Sequence, residues 1–167
     1  MYTDSHCHLS FPELVAQLPD IRQKMQDAHV TRALCICTTI EEFDQVHHLA
    51  KTYDNFWSTV GVHPDNEDIY EPTVQDLVEK GQLPRVIAIG ETGLDYYQMS
   101  ERKGGRTIDD MEWQRDRFRN HIRAARQIQL PMVIHTRASS DDTLRILKEE
   151  GEAGDVGSAG GVFHCFT

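Results

Sequence analysis

At 167 residues the chain is long enough for one domain with a real core, and its 39% hydrophobic and 26% charged residues are an ordinary globular balance. No apolar run approaches the roughly 20 residues of a membrane span, and the N-terminus MYTDSHCHLS has neither the basic nor the apolar region of a secretion signal, so a soluble, cytoplasmic protein without a membrane partner is expected. The net charge of −10 argues against broad nonspecific binding to nucleic acid.

A first extended run covers Tyr2–Asp4 and leads into His6-Cys7-His8. Residues two apart on an extended backbone point to the same side, so both imidazoles can reach one cation, with Asp4 placed to orient a ring. Pro12–His29 carries Leu14, Val15, Leu18, Ile21, Met25 and Ala28 near a 3.6-residue period, which predicts a helix that Pro19 breaks or restarts. Thr31–Thr38 predicts a second strand, on which Cys35 and Cys37 share a face as small hydrophobes. The four cysteines lack zinc-ribbon spacing and are expected to stay reduced. A helix over Glu41–Tyr53 follows, with His47 and His48 read as surface residues.

Phe56–Val62 predicts the third strand, and His63-Pro64-Asp65 comes directly after it. Thr73–Lys80 is helical, with Gly81 as its stop. The fourth strand, Arg85–Gly90, delivers Glu91 to its mouth, where a carboxylate must be paired or metal-bound to offset desolvation. Gly93-Leu94-Asp95-Tyr96-Tyr97 opens the next loop, and either tyrosine is placed to stack on a base or sugar. The basic stretch Gln98–Thr107 reads as a substrate-facing flap. Asp109–Gln129 is the longest helix, with Met111, Phe118, Ile122 and Ala125 inward and His121 at the surface. Eight of the 17 Lys and Arg residues lie between Arg102 and Arg126, either as a solvated helix face or as a local rim that attracts phosphate. Pro131–His135 predicts the fifth strand, Ser140–Glu150 a helix ended by Gly151, and Gly161–Cys165 a sixth strand carrying His164.

Apolar strands alternating with helices predict a parallel α/β protein with right-handed crossovers. A doubly wound open sheet and a TIM-type barrel both fit that order. The chemistry-bearing residues decide, because His6 and His8, His63, Glu91, His135 and His164 each fall at or just past the end of a different strand. A barrel converges those ends on one face, and an open sheet spreads them too widely. The fold class is therefore α/β of the TIM (β/α)8-barrel type, with about six βα units present, since eight need roughly 250 residues.

Four imidazoles and one carboxylate make a two-cation site, in which a carboxylate spans both cations as neutral histidine cannot. Such ligands suit Zn, Mn, Ni or Co, with Mg asking for more oxygen donors. Two cations roughly 3.5–4 Å apart acidify a shared water and clamp a phosphoryl oxygen, which is the chemistry of hydrolysis.

The motifs DSHCH from Asp4, VGVHPD from Val60, AIGETGLDYY from Ala88, PMVIHTR from Pro131 and GGVFHCFT from Gly160 resemble, as a set and in order, the TatD family of metal-dependent deoxyribonucleases. The resemblance implies an amidohydrolase-type TIM barrel that cuts phosphodiester bonds in DNA, single-stranded DNA being favoured by the basic flap and the tyrosine pair. It implies that His6 and His8 hold one cation, that Glu91 bridges as the catalytic carboxylate, and that His135 and His164 hold the second. His63 would sit at the scissile phosphate, and Asp65, Tyr96 and Arg137 are the further candidate substrate contacts. A Glu stands where the wider amidohydrolase group often carries a carboxylated lysine, which favours the nuclease branch.

Members of that family are expected to carry a further aspartate after the eighth strand, as ligand and general base. No acidic residue follows Asp155 here, and Asp155 precedes the sixth strand. The expectation is a single TatD-type domain over residues 1–167, C-terminally incomplete, whose open sheet edges favour self-association. The alternatives are a related metallohydrolase acting on an ester such as aminoacyl-tRNA, and an inactive fragment that persists by self-association.

Overall fold

A computed structural model describes residues 1–102 and 104–165, so Lys103 of the basic flap and the terminal Phe166 and Thr167 lie outside the described residues. Six parallel strands form one sheet in chain order: β1 Tyr2–Cys7, β2 Val30–Cys35, β3 Phe56–Val60, β4 Val86–Asp95, β5 Met132–Arg137 and β6 Gly161–His164. The connections carry α1 Pro12–Val15, α2 Leu18–Asp27, α3 Phe43–Thr52, α4 Val74–Gly81, α5 Met99–Arg102, a 3-10 turn at Ile108–Met111, α6 Glu112–Ile128 and α7 Ser140–Glu149. Pro19 does restart the first helical segment, for it lies in the opening turn of α2, where a missing N–H costs nothing. Among the described residues no helix is long and apolar enough to cross a membrane.

The core lies between the sheet and its helices. Phe56, Ile89, Met132 and Ile134 from the strands meet Phe43, Leu77, Phe118, Ile122 and Ile146 from the helices, all of them buried. Cys35 and Cys37 join this cluster, as small hydrophobes on one face should. On the other face Ile36, Ala88 and Val133 form a much smaller cluster. Val162, beside Val133 in register, is 61% exposed, and Ile87 is 41% exposed. The sheet nevertheless curls as a barrel does. The rings of His6 on β1 and His164 on β6 stack with centroids 3.7 Å apart, so the C-terminal ends of the first and last strands meet.

The fourth strand departs most from expectation. It runs to Asp95 rather than ending at Gly90, because it pairs with β5 through Thr92–Ile134, Gly93–His135, Leu94–Thr136 and Asp95–Arg137 after a register shift. Glu91 therefore lies inside a ten-residue strand, its N–H donated to Cys37 O at 2.9 Å. Two glycines make the close approach possible. A Cβ at Gly61 would stand 2.6 Å from Gly90 Cα, and one at Gly93, whose φ is +121°, would stand 2.0 Å from His135 O.

The arginines of α6 are paired with carboxylates. Arg117 is buried and paired with Glu71, and Arg115 meets Glu112 and Asp142. Arg119, Arg123 and Arg126 reach Glu149, Glu150 and Glu152 around α7. These cations brace the helical layer. His121 and His47, both read as surface residues, are buried instead: His121 Nε2 accepts the Val62 N–H at 3.0 Å, and His47 Nε2 meets Pro84 O at 2.8 Å.

Candidate metal centre

The strand ends bring His6, His8, His63, Glu91, His135 and His164 to one place, with Glu91 at the centre. Its Oε2 lies 3.3 Å from His6 Nε2. Its Oε1 lies 3.1 Å from His135 Nδ1, 3.7 Å from His63 Nε2 and 3.8 Å from His164 Nε2. Oε2 thus faces His6, and the other three imidazoles face Oε1. Two sets have the spacing to hold a cation: His6, His8 and Glu91, and His63, Glu91 and His135. His164 falls outside both tight sets, since its ring is stacked on His6 and half-exposed.

The cluster shows the marks of a cation site. His8 Nδ1 is buried with no hydrogen-bond partner, and His6 Nε2, although near Glu91, is not aligned for a hydrogen bond. A buried ring nitrogen without a partner loses its hydration for nothing, unless a cation takes the lone pair. Burial and the neighbouring His6 hold His8 below the ordinary histidine range, which keeps that lone pair free. Burial, then His6, lowers His164 likewise. Burial alone would raise the Glu91 carboxyl, but the imidazoles around it, His135 foremost, outweigh burial and hold it well below the usual carboxylate range. The donor set, imidazole and carboxylate, fits a first-row divalent metal.

His63 differs from the other histidines. Its Nδ1 accepts the Asp65 N–H at 3.0 Å, so in the neutral ring the proton sits on Nε2 and points into the cluster. Burial pushes its pKa down to about 4, which keeps the ring neutral. His63 is therefore built as a donor. Arg117 holds its loop in place by donating to His63 O and Asn66 O, each at 2.9 Å.

Beyond Glu91 the sequence reading missed a second buried acid. Asp95, fully buried, accepts from His135 Nε2 at 3.1 Å, from Arg137 Nη2 at 2.6 Å and Nε at 3.1 Å, and from the Tyr97 amide at 2.9 Å. Its position four residues beyond Glu91 was the available signal, hidden because the strand was expected to end at Gly90. Burial opposes ionisation of Asp95, but these donors win and lower its pKa. Burial likewise lowers His135, yet Asp95 and Glu91 more than compensate and its pKa rises.

The other expected contacts fall differently. Tyr96 is buried, its hydroxyl donated to Asp142 Oδ2 at 2.8 Å, so it presents no face to a substrate. Burial and Asp142 push that hydroxyl up to about 12. Tyr97 is the exposed one, with the Arg137 guanidinium 4.6 Å from its ring centroid. Arg137 is spent largely on Asp95, and Asp4 accepts the His6 backbone N–H at 3.1 Å rather than a ring.

Comparison with known proteins bears on the family and the fold. The family described as TatD related DNase matches residues 3–167. The uncharacterized metal-dependent hydrolase YcfH of Escherichia coli K12 is 37% identical over 98% of this chain and 58% of its own length. Human deoxyribonuclease TATDN3 is 32% identical over 89% of the chain and 56% of its own length. Among solved structures, YJJV, a TatD homologue from Escherichia coli K12, superposes with a TM-score of 0.76 at 24% identity, over 90% of this chain and 56% of that one. A TatD-family hydrolase from Entamoeba histolytica gives a TM-score of 0.76 at 22% identity, over 99% of this chain and 58% of that one. The chain thus spans a little over half the length of these relatives.

Proposed function

The chain belongs to the TatD-related DNase family, and on that premise we propose that it carries the cation-binding part of a metal-dependent hydrolase that cleaves phosphodiester bonds in DNA. The observation that carries the proposal is Glu91, whose two oxygens face different imidazoles, His6 on one side and His135 on the other. In this reading His6 and His8 would hold one divalent cation, His135 with His164 beside it would serve a second, and Glu91 would be a ligand to both. Zn, Mn, Ni and Mg are the candidate metals. Cations so held supply Lewis acidity and the charge that acidifies water and steadies a phosphoryl oxygen.

The chain's own residues do the rest. His63 offers its Nε2–H to a phosphoryl oxygen, and being neutral it neither repels a cation nor draws one away. Asp65 supplies the amide that keeps this tautomer. Tyr97 and the Arg137 over its ring form a face for an unpaired base, which favours single-stranded DNA. The deoxyribonuclease name of the human relative supports DNA as the polymer.

The test uses metal-stripped protein with Mn restored, offered a single-stranded oligonucleotide and, separately, an aminoacyl ester. Cleavage of the oligonucleotide alone is expected, with Glu91→Ala binding less metal and losing cleavage while keeping its fold. Ester cleavage alone would replace the nuclease reading, and full activity of Glu91→Ala would remove the bridging role.

A further inference from the structure

We infer that Asp95 is a positioning residue for the metal centre: it fixes the His135 ring with Nε2–H turned to its own carboxylate and Nδ1 turned to Glu91. The inference rests on the reading of Glu91 and His135 as cation ligands. A carboxylate only accepts, so at 3.1 Å from Asp95 Oδ2 the His135 Nε2 must carry a proton. Nδ1, 3.1 Å from Glu91 Oε1 and 3.3 Å from His63 Nε2, is then the nitrogen on the Glu91 side, the one that a cation beside Glu91 would engage in place of a proton. The ring is buried, and turning it over would give up its contact with Asp95.

Asp95 is itself held tightly. It pairs with Arg137 in the β4–β5 register, and the same Arg137 grips its Oδ2 through two nitrogens. Its amide donates to Gln114 Oε1 at 2.9 Å, while Gln114 Nε2 donates to Pro64 O at 2.8 Å in the loop that carries His63. Gln114 is fully buried. The one Asp95 oxygen thus holds the Arg137 guanidinium and the His135 imidazole together. Partners of this kind are worth roughly 10–100-fold in metal affinity.

The test is calorimetric titration of Zn or Mn into the metal-stripped chain and into Asp95→Asn, Asp95→Ala and His8→Ala. Two binding steps are expected for the unaltered chain. Asp95→Ala weakens one of them by roughly 10–100-fold, Asp95→Asn weakens the same step less because an amide oxygen still accepts, and His8→Ala weakens the other. A purely structural role would move both steps together, and that result overturns the inference. So does a folded Asp95→Ala that binds both cations as the unaltered chain does, which leaves the metal reading intact. An unaltered chain that takes up no cation overturns the metal reading and this inference with it. Should Asp95→Ala fail to fold, the isosteric Asp95→Asn decides by the same criterion.

Discussion

Glu91 is 2% exposed, and in such surroundings ionisation survives only when opposite charge or donors reach both oxygens. His6 Nε2 lies 3.3 Å from one oxygen and His135 Nδ1 3.1 Å from the other, so imidazoles flank the carboxylate on both sides. His63 separates from the ligands at this scale, because a backbone amide occupies the nitrogen that would otherwise be free. His63→Ala is therefore expected to lower kcat by about 100-fold, the loss typical of one oxyanion donor, while elemental analysis finds the metal count unchanged. A fall in metal content alongside activity would make His63 a ligand and remove the donor role.

Elements act here through what they bury. The helix α6 spends its arginines on the loop after β3 and on the acids around α7, and it inserts His121 beneath the strand that ends before His63. His121 Nε2 accepts the Val62 amide while Nδ1 lies 2.8 Å from Arg117 O, and burial lowers its pKa to about 4. The unfolded value is near 6.5, so the unfolded chain binds the extra proton first. The contribution of His121 to stability is complete above pH 6.5 and is lost as pH falls from there towards 4, amounting to about 3 kcal/mol at most. Denaturant titrations across that range should show a shallower dependence on pH for His121→Gln than for the unaltered chain. Equal slopes would mean that the buried imidazole does not govern acid sensitivity.

At the scale of the molecule, the curl of the sheet is what brings five separate strand ends into one centre. The stack of His6 on His164 spans the sheet's first and last strands, so a cation bound near Glu91 ties together elements distant in sequence. Ligands that bind the folded chain alone stabilise it by mass action. A single cation at a hundred times its dissociation constant adds about 2.7 kcal/mol, which raises Tm by roughly 5–10 °C for a domain of this size. Thermal melts of metal-stripped protein with and without Mn or Zn check this, EDTA reversing the gain. Coincident melts would argue against a cation site that belongs to the folded state.

Strand order, the helices between the strands and the six residues of the cluster were legible in the chain because they depend on local pattern. Apolar runs must be buried, period-3.6 stripes must face a sheet, and polar ligands at strand ends collect where a barrel gathers those ends. The reach of β4 to Asp95 was not legible, since it depends on β5 offering Ile134 through Arg137 as partners beyond a register shift. For the same reason Tyr96 reads as a candidate for stacking and His121 as a surface residue, although both are buried. A hydroxyl or an imidazole is accepted in a core only when a partner meets it, and Asp142 and the Val62 amide come from elsewhere in the chain. The strand-end pattern determined which residues gather at one place. Which nitrogen each histidine turns towards Glu91, and the Asp95 carboxylate that decides it for His135, follow from hydrogen bonds that exist only once the strands lie side by side.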